Sequence, residues 1–323
     1  MSLYENRKMS EEGALMPFAE IMLPDGLGGV HYKKVEATDP ENGKKIPGRF
    51  WLKWVEKDTV TGVCKKNYRV IQPSELVGGF FDPIVDRQEA VYRSAGVLRG
   101  GSTFWALAEL TDPRFHIDLF DGVKVLPYVF LGGFADGLRA DFATYTSIVV
   151  QCQNTFDAAL SIAIGDDEIP LVAFRHNATA KEQIAKGHEL LNLASKRTQA
   201  LKRIMEKMGT KKVAGVQVNS LIEHLLPSVR QFKGKNVQAN IQTEREKVQA
   251  AFDDPLNFTP DTRLTYLNLY NAVTFWIDHN RAEAKRDGQT VERMYSALLG
   301  SGKDLRQQAM LWILNQMDQE ANE

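Results

Sequence analysis

The residues of this chain with the chemistry to make or break bonds are few and scattered. Its cysteines are Cys64 and Cys152, and its histidines are His31, His116, His176, His188, His224 and His279. No two histidines stand at metal-ligand spacing, and the cysteines form no Cys-x-x-Cys pair. Cys152 is either a nucleophile or an inert thiol on the apolar side of a strand, and the alternation around it favours the inert thiol. Asp166-Asp167-Glu168 either holds a magnesium ion or forms a solvated loop ahead of Pro170, and the loop is the simpler reading. The sequence contains no Walker loop, no Gly-x-Ser-x-Gly elbow and no His-Glu-x-x-His helix. The expectation is a non-catalytic protein with neither cofactor nor metal.

Binding asks for less. Aromatic faces stack on unpaired bases while Arg and Lys follow the phosphates, a combination suited to single-stranded nucleic acid. Tyr92, Arg93, Arg99, Trp105, Lys124, Tyr128, Arg139 and Tyr145 supply such groups along the strands predicted below. A second source of charge lies further on. Between Lys181 and Lys247 there are fourteen Lys or Arg against six Asp or Glu, in a chain whose net charge is −1. That zone is either the footprint of an anionic partner or the solvated face of long helices. Lys186, Lys202 and Arg203 are its candidate contacts, with Arg175 just ahead of it.

Positioning these residues requires a sheet followed by helices. Residues 1–48 read as an irregular lead-in, with turn signals at Pro24-Asp25-Gly26 and Asp39-Pro40-Glu41-Asn42-Gly43. Phe50 to Val55, with Trp51 and Trp54, reads as a strand, Tyr68 to Ile71 as a short extended run, and Pro73 to Asp86 as a helix broken or kinked at Pro83. Val91–Leu98 and Thr103–Leu110 flank Gly100-Gly101, a hairpin signal because both glycines tolerate positive φ. Ile117–Leu131 continues the sheet with a break at Asp121-Gly122. Arg139–Cys152 alternates with period two, and Asn154 is expected to cap a helix running to Ile164.

After Pro170 the period changes. Ile184, Leu191, Thr198 and Met205, with Gly187, Ala194, Leu201 and Met208, make a seven-residue seam over Lys181–Met208. Further helices are predicted at Val218–Leu226, Asn240–Phe252, Asp261–His279 and Leu305–Met317. The fold class is α+β, an antiparallel meander with packed helices and a helical C-terminal part. Its expected divisions are residues 1–48, a mixed core over 49–177 and a helical region over 178–323.

With 43% hydrophobic and 25% charged residues, the composition is that of a globular protein. No run approaches the roughly 18 apolar residues of a membrane span. The polar stretch from Met1 to Glu12 lacks the apolar core of a secretion signal, and two cysteines make no disulfide framework. The expected location is the cytoplasm.

Several motifs resemble an uncharacterised phage and plasmid family, domain-of-unknown-function family 932, which has an enterobacterial prophage branch. They are Tyr68-Arg69-Val70-Ile71-Gln72-Pro73-Ser74-Glu75, then Ser94-Ala95-Gly96 with Leu98, Gly100-Gly101 and Trp105-Ala106-Leu107. Asp136-Gly137, Cys152-Gln153-Asn154-Thr155, Arg175-His176, Tyr270-Asn271-Ala272-Val273-Thr274 and Asp278-His279 follow in the same order. The family usually carries His-Asp-Gly where this chain has Ala135-Asp136-Gly137, and an Arg where it has Val149. The resemblance implies the DNA metabolism of mobile elements. The strand-rich core is also similar in layout to the β-β-β-α core of single-strand annealing proteins of the Red-beta, RecT and Erf type. That similarity implies an ATP-independent protein that binds single-stranded DNA and anneals it during recombination. Its implied partners are the strand, further copies of itself in a ring or filament, and a companion exonuclease. The alternative is a non-catalytic interaction protein that modulates host defence or DNA metabolism.

Overall fold

The computed structural model describes residues 27, 30–119, 123–149, 154–155, 171–186, 189–226, 228, 234–281, 284–286, 289–291, 296 and 300–322. Cys152 and Asp166-Asp167-Glu168 lie outside the described residues.

Three strands, β1 (Tyr32–Thr38), β2 (Lys45–Trp54) and β3 (Thr59–Lys65), form an antiparallel meander. Residues 32–48, expected to be irregular, therefore hold one strand and the start of another. The turn signals at Asp39–Gly43 were real, with Gly43 at φ 69. The strands around them were hidden because lysines fill many of their outward positions, as one wet face of an antiparallel sheet allows. The inward side buries Tyr32, Leu52 and Cys64.

A helix, α1 (Pro73–Asp86), follows with Pro73 at its first turn and runs on through Pro83. It leads into a larger antiparallel meander of β4 (Ala90–Leu98), β5 (Thr103–Leu110), β6 (Ile117–Leu119), β7 (Val123–Phe134), β8 (Asp141–Val149), β9 (Asn154–Thr155) and β10 (Leu171–Phe174). The spatial order is β10-β8-β7-β5-β4, with β6 paired to β7 and β9 to β8. Asn154 and Thr155 pair with Val149 and Ile148. The chain returns along β8 at the point where a helix cap was expected, and the rest of that expected helix lies outside the described residues.

Period-two alternation splits the sheet into two faces. Phe104, Ala106, Ala108 and Leu110 of β5 pack with Leu76, Val77, Phe80, Phe81 and Ile84 of α1. The two alanines leave room for the helix. On the opposite face Trp105 and Leu107 cluster with Tyr128 and Phe130 of β7.

The helical part comprises α2 (Ala180–Lys186), α3 (Glu189–Thr210), α4 (Gly215–Leu225), α5 (Lys235–Asp253), α6 (Tyr266–Phe275) and α7 (Ser301–Asn322), with a small hairpin of β11 (Ala284–Arg286) and β12 (Gln289–Val291). Ile184, Thr198, Leu201, Met205 and Met208 of the seven-residue seam are buried. All ten residues of α6 are buried, so this helix is the centre around which α3, α5 and α7 pack. A five-residue π-helical segment, Trp276–Asn280, ends it. Ile117, Leu119 and Val125 of the sheet join the same apolar core. The architecture is the mixed α+β meander with a helical C-terminal part that the sequence periods predict. No described helix is long and apolar enough to cross a membrane.

Candidate nucleic-acid interface

The three-stranded sheet carries a cationic outer face. In β2 the side chains alternate, with Phe50, Leu52 and Trp54 on one side and Arg49, Trp51 and Lys53 on the other. Cross-strand register places Lys33 opposite Lys53, Val35 opposite Trp51, Val63 opposite Trp51 and Lys65 opposite Arg49. Because directly opposed residues share a face, Trp51 stands between two pairs of like charges. Lys33, Arg49 and Lys65 are exposed and Trp51 is half-buried. Lys53 is balanced by Asp58 at 2.6 Å, which holds the Asp58 carboxyl below its ordinary range. Like charges directly opposed on a sheet are destabilising, so the Arg49–Lys65 pair, which has no acidic partner among the described residues, is a cost to the folded chain until an anion covers it.

The same sheet docks on the end of the larger one through two glycines. A Cβ on Gly62 would lie 2.3 Å from the Asp136 carbonyl oxygen, and one on Gly137 (φ +77) would lie 2.1 Å from that of Val63. Thr61 Oγ1 donates to the Ala135 carbonyl at 2.7 Å. Between β3, the β4–β5 turn and the β7–β8 turn lies a cleft of about 380 Å³, lined by Thr61, Arg99, Ser102, Asp136, Leu138 and Arg139. Arg139 Nε donates to Asp136 Oδ2 at 2.6 Å, and its guanidinium lies 3.7 Å from the centre of the Phe134 ring. Burial pushes the Asp136 carboxyl up, but the Leu138 N–H and the Arg139 side chain and N–H outweigh it and hold the group below its ordinary range.

Beneath the cleft lies a buried polar group. Asp141 Oδ1 accepts the Phe134 N–H at 2.7 Å and faces His176 Nε2 at 3.1 Å. His176 Nδ1 lies 3.1 Å from the Arg69 carbonyl, and Tyr68 stacks on the imidazole with ring centres 4.4 Å apart. Asp141 is fully buried and its Oδ2 has no partner among the described residues. Desolvation raises its carboxyl above the ordinary value, although hydrogen bonding and charge from His176 oppose the shift. Burial, then the charge of Asp141, also raises the phenols of Tyr32 and Tyr68. The Tyr68-to-Glu75, Gly100-Gly101, Asp136-Gly137 and Arg175-His176 motifs thus converge at one end of the sheet.

The predicted contacts do not form one surface. Trp105 and Tyr128 are 2% and 7% exposed, so neither ring offers a face to a base. Period two showed which residues share a face but not whether that face is wet. Tyr92 lies on the α1 side, edge-on to Phe81, with its hydroxyl donating to Asp82. Tyr145 is buried and its hydroxyl meets Thr198 Oγ1 at 2.9 Å. Arg93 sits at a bulge in β4 and donates to Glu109 at 2.6 Å. Lys124 pairs with Asp118 in the sheet, and its side chain lies outside the described residues. Only Arg99 and Arg139 come together, in the cleft. Arg175, Lys186, Lys202 and Arg203 are exposed near or on the helices. Part of the cationic segment is neutralised internally, with Lys202 on Glu206, Lys207 on Asp318, Lys211 on Glu320 and Lys247 on Glu244.

The sequence reading missed Lys33, Arg49, Lys53 and Lys65. The available signal was the alternation Arg49-Phe50-Trp51-Leu52-Lys53-Trp54, noticed for its tryptophans and not for its cations. Asp141 and His176 carried no local motif that joined them.

No curated protein and no solved structure matches the chain, so the likeness to annealing proteins gains no support from either. A family model described as Domain of unknown function (DUF932) matches residues 60–298. That span takes in the cleft and the Asp141–His176 pair, while β1 and β2, with Lys33, Arg49, Trp51 and Lys53, precede it. With about three quarters of its length matched, the chain belongs to the family described as Domain of unknown function (DUF932).

Proposed function

We propose that this protein binds single-stranded DNA on the outer face of β1–β3 and pairs complementary strands without ATP, as a self-associating cytoplasmic protein with no catalytic step of its own. The observation that carries the reading is Trp51 set between Lys33 on one side and the cross-strand cationic pair Arg49–Lys65 on the other. An indole gives a base a sequence-tolerant stacking surface, worth about 1–3 kcal/mol per base, while flanking cations take the phosphates. A curved track of single-strand backbone also releases roughly 0.7 counterion per neutralised phosphate, so affinity should fall steeply with salt.

The test is fluorescence anisotropy of a labelled oligothymidylate across a salt series, with strand pairing followed in parallel. Wild type should bind the single strand more tightly than a duplex, and Arg49→Gln with Lys65→Gln should weaken binding and flatten the salt slope. No strand binding at about 50 mM salt, a condition that favours phosphate contacts, would defeat the reading. The alternative of a host-interaction protein would then stand on the exposed Ile46, Val60 and Val63 of this same small sheet.

A further inference from the structure

We infer that Asp58, in the β2–β3 turn, makes the outer face of β1–β3 select one DNA strand over two, by neutralising one of the two cationic rows that a duplex would need. The inference rests on the strand-binding reading and deepens it.

The face is asymmetric. Lys33 and Lys53 form one row, Arg49 and Lys65 the other, and Trp51 lies between them with Val35 and Val63 opposite it. Val63 is exposed and Val35 half-buried, so the middle row is apolar across all three strands. Arg49 and Lys65 have no acidic partner among the described residues. Lys53 Nζ instead holds Asp58 Oδ1 at 2.6 Å. That hydrogen bond, the charge of Lys53 and, less strongly, the charge of Lys33 keep the Asp58 carboxyl ionised below its ordinary range. Glu56 stands in the same turn, accepting the His31 N–H at 3.0 Å and meeting its imidazole Nδ1. The turn thus brings two carboxylates, along with Lys57, to the Lys33–Lys53 end of the sheet.

The spacing of the rows decides what this asymmetry does. Arg49 and Lys53 are four residues apart on β2, about 13 Å at the rise of an extended strand. That is close to the roughly 12 Å width of the major groove of duplex DNA. With both rows open, the sheet would straddle that groove, one backbone on Lys33 and Lys53 and the other on Arg49 and Lys65. The Asp58 carboxylate stands where the second backbone would lie and repels its phosphates. A single strand needs one row only. Its phosphates follow Arg49 and Lys65 while its unpaired bases turn onto Trp51, a contact that paired bases cannot offer. Discrimination of this kind comes from a repulsive group set against the unwanted ligand.

The test is an anisotropy titration of a mixed-sequence oligonucleotide, single-stranded and as duplex, across a salt series. Wild type is compared with Asp58→Asn and with the double variant Lys53→Gln, Asp58→Asn. Asparagine removes the charge and tolerates the φ of 49 at this position. The Asp58 side chain is 81% exposed, so its replacement leaves the packing untouched. Asp58→Asn should raise duplex affinity about tenfold, the scale of one charge-assisted phosphate contact, and change single-strand affinity less than about twofold. Its duplex salt slope should steepen by about 0.9 for each lysine that gains a phosphate. The double variant should return duplex affinity toward wild type, because the gain passes through Lys53. An equal rise for both forms, no rise for the duplex, or a duplex gain that survives Lys53→Gln overturns the inference and leaves the strand-binding reading in place. Wild type that binds no single strand at about 50 mM salt defeats that reading, and the inference falls with it.

Discussion

Arg49 of β2 stands directly opposite Lys65 of β3, on the outward side of the sheet, with both side chains exposed. Opposed like charges cost a sheet a few tenths of a kcal/mol to about 1 kcal/mol relative to a neutral pair. A protein whose only requirement was to fold would gain by replacing either one. Stability and ligand binding should therefore respond in opposite directions to the same substitution.

Lys65→Glu converts the pair into an opposite-charge one. It should raise the unfolding free energy by about 0.5 kcal/mol and lower affinity for single-stranded DNA by about tenfold or more. Denaturant melts and anisotropy titrations measure the two. A stability loss would mean that the pair is not strained, and unchanged affinity would remove the face from the binding surface.

Trp51→Ala should weaken strand binding by about 1–3 kcal/mol, the range of one base-stacking contact. Trp105→Ala should instead act on the fold, costing about 3–5 kcal/mol, because that indole is 2% exposed and packs beside Phe130. Chemical denaturation and strand titration of both variants distinguish the two roles. Equal effects of the two on binding of the folded proteins would contradict the assignment of surface and core.

Gly101→Ala tests how the β4–β5 turn is locked. The glycine has φ +93, and an added Cβ would fall 2.3 Å from Trp54 Cε3. Trp54 joins the apolar core beneath α1, so the indole cannot swing away at no cost. The expected loss is about 2 kcal/mol or more from combined backbone strain and overpacking. Gly100→Ala, also at positive φ but with nothing within 4 Å of its Cβ, should lose less. Thermal melts of the pair rank them, and the opposite order would refute the steric argument.

Asp141 gives a signed pH dependence. Its folded carboxyl lies above the 3.8 of the unfolded chain, chiefly from burial. The protonated form is thus favoured in the folded state. The contribution is fully present below pH 3.8 and is lost as pH rises through the raised value. Asp141→Asn cannot ionise, so the stability of wild type relative to the variant should decline as pH rises from 3.8 through the raised value. Urea melts across that range report the difference. A relative gain with pH would show that pairing with His176 outweighs desolvation.

The sequence by itself determined the kinds of element and much of their order. The Gly100-Gly101 turn, the period-two runs of β5 and β8, the helix opened by Pro73 and the seam through Thr198, Leu201, Met205 and Met208 are all local patterns. Local patterns follow from backbone sterics and solvent contrast, which adjacent residues settle among themselves. The tertiary structure alone decided which faces are wet. Trp105 and Trp51 both lie on alternating strands, yet one is interior and the other is half-buried on a cationic face. It alone joined Tyr68, Asp141 and His176, which stand 73 and 35 residues apart along the chain, because a meander brings strand ends together regardless of separation. Burial and convergence are properties of what packs across a strand, and no window along the chain contains the partner.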